Sequence, residues 1–331
     1  MQNNINKYLN MLLVQQETEL LGIALDLKIF KLLESASYTA HSLAKKLESD
    51  DHNTKVLLDG LVFMDLLQLN NDIYTNTAIT KQFFVCDSSQ YCGDVYLNRK
   101  EMLNSARKMT ASLVKNGCGK MLDSKHPKRW ASAAKGSLKQ EQKTLISPVA
   151  TNIVKNLKEF KNINKILDLG CSSGIIGLDI IKEHPTSKGV LFDYKEVVDV
   201  ASEHIKAYGL ENRVTTLSGD IELDDIGSGY DLIWCSNIFY FFKDKKEVIQ
   251  KIYDALSPNG VLVSAHIEID NNNIQDKISY FYFLFLNMQK RNKLEPMEMS
   301  NIFEDVGFRS VNSYTNYDMP MTPFQIHIAK K

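Results

Sequence analysis

The segment KILDLGCSSGIIGLDII, residues 165–181, constrains the fold more than any other part of the chain. An apolar run, a glycine-rich turn and a second apolar run at helical spacing predict a buried strand, a turn and a helix. Gly170 permits the tight turn, and Gly174 lets the backbone approach a ligand. The following helix N-terminus offers unpaired N–H groups and a positive dipole end, which suit a carboxylate or phosphate. An ordinary strand-to-helix glycine turn is the alternative.

The turn departs from two common nucleotide-binding motifs. A dinucleotide fingerprint needs G-x-G-x-x-G, because its middle glycine admits the pyrophosphate, and Ser172 stands at that position. A P-loop needs Gly-Lys-Ser/Thr, whereas two isoleucines follow Gly174. A smaller ligand that carries a carboxylate fits the turn better than either nucleotide.

From residue 163 onwards, strand-like and helix-like segments alternate. Alternation of this kind predicts a mostly parallel, Rossmann-like sheet with helices on both faces. The strand-like runs are KILDLG, GVLFD, RVTTLSGD, YDLIWCS and GVLVSAHIEI, followed by FRSVNSYTNY and FQIHIAKK in the tail. The helical segments between them include IIGLDIIKEH, KEVVDVASEHIKAYG and KKEVIQKIYDAL.

Acidic residues stand at the predicted ends of successive strands. Asp193 ends the second strand about twenty residues after the turn, where an acid accepts hydrogen bonds from ribose hydroxyls. Asp220 ends the third strand, where it can accept from an adenine amino group. Each acid alone is equally compatible with a helix cap or a solvated loop. Together with the glycine-rich turn they trace an amino acid, a ribose and an adenine, which is S-adenosylmethionine.

With these motifs, residues 166–269 resemble class I S-adenosylmethionine-dependent methyltransferases. FDYKEV, GLENRVTTLSGD and LSPNGVLV have counterparts there. Nearly the whole chain resembles the small-molecule O-methyltransferases of the caffeate and hydroxyindole type, which dimerise through an N-terminal winged-helix domain. The resemblance implies S-adenosyl-L-homocysteine as product and cofactor contacts at Asp168, Gly170, Gly174, Asp193, Asp220, Ile221 and Ser236. Ser236 stands where many relatives have a lysine.

The resemblance also implies three segments. Residues 1–98 are expected to form a winged-helix dimerisation domain, residues 99–160 a helical connector contributing to the substrate cleft, and residues 161–331 the cofactor-binding domain. Residues 8–33 are apolar nearly all round, which predicts one buried helix that depends on a partner chain. Two short helices follow, the first capped by Thr39, and then a hairpin at LQLNNDIYTNT.

The charge of the first domain favours dimerisation over DNA binding as its role. Residues 1–100 hold nine Lys/Arg against twelve Asp/Glu, whereas a DNA reader needs positive charge for phosphate contacts. Residues 99–143 hold twelve Lys/Arg against three Asp/Glu. That basic segment is either a solvated face or a source of attraction for an anionic substrate.

The family pattern breaks at IFYFFKD, residues 238–244. The family reads N-x-L-H-[HD]-[FW]-x-D there, and its histidine is the general base; Tyr240 occupies the histidine position. The family's next strand ends in a glutamate, which His266 replaces. A phenol with a pKa near ~10 is a poor base at neutral pH, whereas an imidazole near ~6.5 is a good one.

Three interpretations stay open. In the first, His266 is the general base and Tyr240 relays the proton or orients His266. In the second, no base is needed, and positioning alone drives methyl transfer to a carbon, nitrogen or pre-ionised oxygen nucleophile. In the third, Tyr240 only packs against its neighbours and His266 is a structural histidine. For the acceptor pocket, the resemblance points to a helix at SYFYFLFLNMQ, residues 279–289, and to Phe241. In that pocket, the side chains expected to line a flat aromatic substrate are Phe281, Phe283, Phe285 and Met288. The alternative is that these side chains belong to the core or to a dimer interface.

Composition excludes several classes. A net charge of −1 argues against a general polyanion binder, and the longest apolar run, YFYFLFL, is too short to span a membrane. Five cysteines without metal-ligand spacing and the absence of a signal-peptide core indicate a cytoplasmic protein without a metal site.

The sequence therefore predicts a homodimeric methyltransferase that acts by O- or C-methylation on a small aromatic or conjugated metabolite, with an anionic acceptor as one alternative. A hydroxylase or decarboxylase on this scaffold and a cofactor-sensing regulator are the other candidates.

Overall fold

The computed structural model describes residues 5–117, 126–270, 277–289 and 293–331. These residues form two compact units with a boundary after Ser105. The predicted division at residues 98 and 160 stays a prediction. Across the described residues, no helix combines the length and the apolar composition that a bilayer crossing requires.

The first unit contains the predicted order of helix, helix and hairpin. Its elements are α1 (Asn6–Asp26), α2 (Ile29–Ser35), α3 (Ala40–Leu47), α4 (Asp51–Phe63), β1 (Leu67–Asn70), β2 (Ile73–Asn76), α5 (Ala78–Phe83) and the start of α6 (Gly93–Asn116). Thr39 caps α3 in a reciprocal capping box with Ser42, as predicted. Asn71 and Asp72 both have positive φ and turn β1 into antiparallel β2.

The single helix predicted over residues 8–33 is wrong, because Lys28 adopts a left-handed conformation and divides the segment into α1 and α2. The predicted burial of this segment depends on a partner chain. Within one chain, the apolar side chains from Tyr8 to Val14 are 52–63% exposed. Only the second half of α1 packs on the core of the first unit, through Leu21, Ala24 and Leu25.

The second unit is built on a seven-stranded, mostly parallel sheet, which confirms the predicted fold class. The strand order is β5-β4-β3-β6-β7-β9-β8; β9 runs antiparallel to both of its neighbours, β7 and β8, and the other neighbouring strands pair parallel. The strands are β3 (Lys165–Leu169), β4 (Lys188–Asp193), β5 (Val214–Ser218), β6 (Tyr230–Ser236), β7 (Leu256–His266), β8 (Ser310–Asn316) and β9 (Phe324–Lys330).

Helices connect these strands and pack on them. They are α10 (Ile175–Glu183), α11 (Lys195–Tyr208), α12 (Lys245–Ala255) and α15 (Glu298–Val306), with α7 (Pro127–Lys135), α8 (Ser137–Glu141) and α9 (Ser147–Lys155) before the sheet. A π-helical turn, Gln142–Ile146, joins α8 to α9, and 3₁₀ turns form at Phe160–Asn162 and Phe239–Phe241. The strands β3 and β6 are buried on both faces, which explains their continuous apolar sequences.

The predicted helix at residues 279–289 is two short helices, α13 (Lys277–Tyr282) and α14 (Leu284–Met288). Phe283 lies at the break and is buried, whereas its neighbours in both helices are partly or fully exposed. The apolar run therefore does not continue as one helix because its central aromatic side chain is drawn into the core.

Candidate active site

The parallel strands bring the sequence-predicted cofactor residues to one edge of the sheet. Since β3, β4, β5 and β6 run in the same direction, their carboxyl ends lie side by side. Asp168 and Gly170 lie at the end of β3, Asp193 ends β4, and Ser236 ends β6 in register with Ala265 of β7. Asp220 and Ile221 follow β5 by two and three residues.

The glycine-rich turn after β3 depends on its glycines. Gly170 and Gly174 have φ values of +73° and +76°, in the left-handed region. A Cβ at Gly170 would lie 2.6 Å from Ile238 Cγ2, and one at Gly174 would lie 2.8 Å from Leu191 Cδ1. Conformation and space thus both require glycine, because the Ile238 and Leu191 side chains pack directly against the backbone of the turn.

Asp193 ties the second strand to this turn. Its Oδ2 accepts a hydrogen bond from the Ser172 amide at 2.9 Å, and its Oδ1 accepts one from the Tyr194 amide at 2.8 Å. Burial raises the pKa of Asp193 to about 6, although both backbone bonds oppose that rise. A carboxylate has about four lone-pair sites, so each oxygen keeps one for a ligand hydroxyl.

Asp168 acts on the helix that follows the turn. It is buried, and its Oδ2 accepts from the Gly177 amide at 3.0 Å in the first turn of α10. Burial raises the pKa of Asp168 to about 7, and the nearby Asp193 charge adds to the rise. The two acids therefore bring more negative charge to this edge than the described backbone donors neutralise, which suits a cationic ligand group.

Two serines of the turn differ in their bonding. Ser172 has positive φ, and its buried Oγ has no hydrogen-bond partner in the described parts of the chain. Ser173 Oγ donates to Gln142 Oε1 of the π-helical turn. An unpaired buried hydroxyl, an acid with free lone pairs and a glycine-lined backbone fit the amino-acid and ribose parts of S-adenosylmethionine.

The loop after β5 holds Asp220 and Ile221 by its own contacts. Asp220 Oδ1 accepts from the Glu222 amide at 3.0 Å, and the Asp220 amide donates to Asp224 Oδ2 at 2.7 Å. Lys251 of α12 donates to the Ile221 carbonyl at 2.8 Å and fixes this loop against the helix. Sequence analysis missed Lys251, because nothing in the local sequence of α12 marks it.

His266 lies fully buried at the end of β7, with both ring nitrogens in hydrogen bonds. Its Nε2 accepts from the Ile238 and Phe239 amides at 3.1 and 3.3 Å. An accepting Nε2 leaves the proton on Nδ1, which then donates to Ser264 Oγ at 2.9 Å. Burial lowers the pKa of His266 well below its usual value, and the proximity of His327 adds to this.

Tyr240 is held in a similar way. Its Oη accepts from the Ile267 amide, and its proton is shared between Asn237 Oδ1 and the Ile267 carbonyl, each at 3.3 Å. Burial raises the pKa of Tyr240 well above that of a free phenol. Tyr240 and His266 are neighbours, with ring centroids 5.6 Å apart, but their hydrogen bonds go to other groups rather than to each other.

Aromatic side chains surround Tyr240. Phe283 packs edge-on against its ring at 4.9 Å between centroids, and Phe239 stacks on His266 at 4.5 Å. Phe241 meets Trp130 of α7 at 5.4 Å, a partner that sequence analysis missed. Of the other predicted pocket residues, Phe285 and Met288 are half-buried and Phe281 is 53% exposed. The structure thus brings Phe241 and Phe283 to Tyr240 but leaves Phe281 on the surface.

Two surface depressions lie outside this set of residues. One is bordered by Asp225–Ser228 and one face of α12, and the other by residues of α9 and α10 that include Ser147 and Asp179. Neither contains a sequence-predicted site residue. The candidate site therefore rests on side-chain and backbone geometry at the edge of the sheet.

Comparison with known proteins agrees with this geometry. Residues 130–309 match the model of the O-methyltransferase domain, and residues 10–85 match that of the O-methyltransferase dimerisation domain. These matches confirm the resemblance drawn from the sequence, together with its enzyme class and cofactor.

Two relatives match about three quarters of the chain, and a solved structure matches all of it. An N,N-dimethyltransferase, OxyT of Streptomyces rimosus, is 24% identical over 75% of this chain and 74% of its own length. A 3-hydroxy-5-methyl-1-naphthoate 3-O-methyltransferase of Streptomyces sahachiroi is 20% identical over 77% and 75%. The structure of an O-methyltransferase family protein of Burkholderia thailandensis superposes with a TM-score of 0.81 at 17% identity, over 100% of this chain and 99% of that one. Because the O-methyltransferase model covers more than half of the chain, this protein belongs to the O-methyltransferase family and is an S-adenosylmethionine-dependent methyltransferase.

Proposed function

We propose that this enzyme methylates a small aromatic or conjugated metabolite at oxygen or carbon, and that it does so without a general base. The observation that carries the proposal is the bonding of His266 and Tyr240. Both nitrogens of His266 and both roles of the Tyr240 hydroxyl are engaged by neighbouring groups. The one acceptor nitrogen of His266 is taken by backbone amides, and Tyr240 keeps its own proton in hydrogen bonds to Asn237 and Ile267.

The pKa directions agree with this proposal. A base that works near neutral pH needs a pKa close to that pH. Burial moves the pKa of His266 well below this range and that of Tyr240 well above it. The acceptor must therefore arrive with a nucleophile that is already ionised, or with one that needs no proton removal before attack. Orientation of that nucleophile is then the main catalytic contribution of the chain.

The cofactor residues are assigned by position. Bound S-adenosylmethionine supplies a methyl group on a positively charged sulfur. We assign the methionine end to Asp168 and the turn Gly170–Gly174, the ribose to Asp193, and the adenine to Asp220 and Ile221, with Ser236 beside the cofactor. Support comes from the free lone pairs of Asp193, the unpaired Ser172 hydroxyl and the left-handed glycine turn between them.

The acceptor class follows from the side chains near Tyr240. Phe241 and Trp130 offer flat apolar surfaces, which favour a planar aromatic acceptor, and the buried Phe283 ring packs against Tyr240. We place the half-buried Phe285 and Met288 in the same pocket and Phe281 at its rim. The named relatives act on a naphthoate oxygen and on nitrogen, and an aromatic carboxylate would also suit the basic segment at residues 99–143.

The experiment starts from the cofactor. Purified protein is incubated with S-adenosylmethionine that carries a labelled methyl group and with a panel of phenols, naphthols, enols and aromatic amines, and mass spectrometry identifies any product. We expect label on an aromatic or conjugated acceptor. Absence of label from every member of the panel and from metabolite extracts would overturn the proposed function.

A second stage tests the mechanism. Acceptors of one shape but different acidity are compared by the pH dependence of kcat/KM. Without an enzymatic base, the inflection follows the pKa of each acceptor; with one, it stays at a fixed pH. Tyr240→Phe and His266→Asn should both keep that acceptor-dependent inflection. A fixed inflection in the wild type that disappears in one of these variants with intact fold would identify that residue as the base and contradict the proposal.

A further inference from the structure

Gln142 occupies an unusual place in the fold. It is the first residue of the π-helical turn Gln142–Ile146 that interrupts the run from α8 to α9. Single π turns inside α-helices are frequent at functional sites, and the widened turn displaces one side chain from its α-helical direction. Gln142 is 9% exposed, and its Oε1 accepts a hydrogen bond from Ser173 Oγ in the glycine-rich turn.

The glycine-rich turn is also held by a hydrogen bond from α11. The carbonyl of Ser173 accepts a hydrogen bond from His204 Nδ1 of α11 at 2.7 Å. Ser173 and His204 are both buried. Ser173 is thus fixed between two helical segments, and its position fixes the adjoining residue Ser172.

Donor groups at this place remain unused. Gln142 Nε2 makes no hydrogen bond with the described part of the chain and keeps contact with solvent, so both of its N–H groups are available. The neighbouring Ser172 Oγ also lacks a partner among those residues. Amide and hydroxyl donors beside a glycine-rich turn are the groups that bind a carboxylate.

We propose that Gln142 binds the carboxylate of the amino-acid end of the cofactor and holds the turn in place through Ser173. This proposal rests on the cofactor assignment made above. Gln142 lies outside the strand-end motifs, so the helical segment before the sheet would take part in recognition of the methionine moiety. The acidic side chains Asp168 and Asp193 suit the cationic groups of the same ligand, whereas its carboxylate needs donors that they cannot supply.

Two ligands, one with the amino-acid end and one without it, distinguish the contribution of that end to affinity from the contribution of the adenosine part. Calorimetry is carried out on the full-length chain with S-adenosylhomocysteine and with 5′-methylthioadenosine, which lacks the amino-acid end. For Gln142→Met, which keeps the size but removes the amide, we expect the Kd of S-adenosylhomocysteine to rise about tenfold or more. The Kd of 5′-methylthioadenosine should stay within about twofold, and the KM of S-adenosylmethionine should rise more than kcat falls.

Matched variants complete the design. Gln250→Met makes the same change on the exposed face of α12 and should bind both ligands as the wild type does. Asp193→Ala, which removes the assigned ribose contact, should weaken both ligands. Gln142→Glu adds a negative charge and should weaken S-adenosylhomocysteine more than Gln142→Met does.

The outcomes are distinct. If Gln142→Met binds S-adenosylhomocysteine like the wild type, or weakens both ligands equally, the role of Gln142 is refuted while the enzyme class stands. If the wild type binds neither ligand, the cofactor assignment itself is refuted.

Discussion

Burial determines the charge states of the acids at the cofactor edge. Asp168 and Asp193 each accept backbone hydrogen bonds that favour the carboxylate, yet desolvation outweighs those bonds and raises both pKa values. Without a positively charged ligand, these two side chains are therefore a source of instability at neutral pH.

Asp168→Asn should stabilise the cofactor-free protein at pH 8. The folded pKa of Asp168, about 7, lies above its ordinary value of 3.8, so the folded state binds the proton more tightly between these values. Its favourable contribution is present at low pH and is lost as the pH rises towards 7. We expect the variant to gain at least about 1 kcal/mol in free energy of unfolding at pH 8, with the gain shrinking towards pH 5. Urea denaturation at both pH values measures it, and a gain that does not depend on pH would contradict the burial argument.

His266→Ala should destabilise the fold, because it leaves the buried amides of Ile238 and Phe239 without an acceptor. We expect a loss of about 2 kcal/mol or more at pH 8. The folded pKa of His266 lies below its ordinary value of 6.5, so the unfolded chain binds the proton more readily and wild-type stability falls as the pH drops below that value. The measured loss should therefore be smaller at pH 5 than at pH 8. An equal loss at both would show that His266 is not held neutral.

At the scale of elements, the break between α13 and α14 separates a structural aromatic side chain from surface ones. Phe283 is buried against Tyr240, while Phe281, two residues earlier, is more than half exposed. The apolar run in the sequence contains no signal that distinguishes them, since both fit a helical or a strand-like period.

Phe283→Ala and Phe281→Ala form a matched pair on this segment. The first removes a buried ring and should cost about 3–5 kcal/mol in free energy of unfolding. The second removes an exposed ring and should cost no more than about 0.5 kcal/mol. Thermal or urea unfolding of both variants measures the difference. Similar losses at the two positions would contradict the placement of Phe283 at the break.

At the scale of the whole molecule, the first half of α1 exposes six apolar side chains between Tyr8 and Val14, where Asn10 is the one polar residue. Large exposed apolar patches mark interaction surfaces, and the segment falls largely within the match to the dimerisation domain, residues 10–85. We propose that a second copy of the chain covers this stretch in a homodimer.

Leu12→Glu combined with Leu13→Glu should convert the dimer to a monomer, because charge buried without a partner is strongly unfavourable. Analytical ultracentrifugation gives the mass. Leu223→Glu, at a 77% exposed leucine after β5, is the control and should leave the mass at that of the wild type. A dimer that survives the double substitution would place the interface elsewhere.

Local patterns determined much of the architecture. Thr39, the Asn71–Asp72 turn and the run KILDLGCSSG each carry their own conformational preference, so helix caps, hairpin and the strand–turn–helix unit follow from the sequence. Alternation of strands and helices likewise predicted the parallel sheet and the gathering of Asp168, Asp193 and Ser236 at one edge.

The bonding of His266 and Tyr240 was decided only by tertiary structure. The sequence places His266 at the end of β7 and Tyr240 in the segment after β6, but whether a nitrogen of His266 is free depends on amides from residues 27 and 28 positions away. The contact of Gln142 with Ser173, 31 positions apart, is likewise decided by tertiary structure. Periodicity and motif spacing determine which elements form, because those preferences are local; the availability of a donor or acceptor depends on what is packed against it, which only the assembled fold specifies.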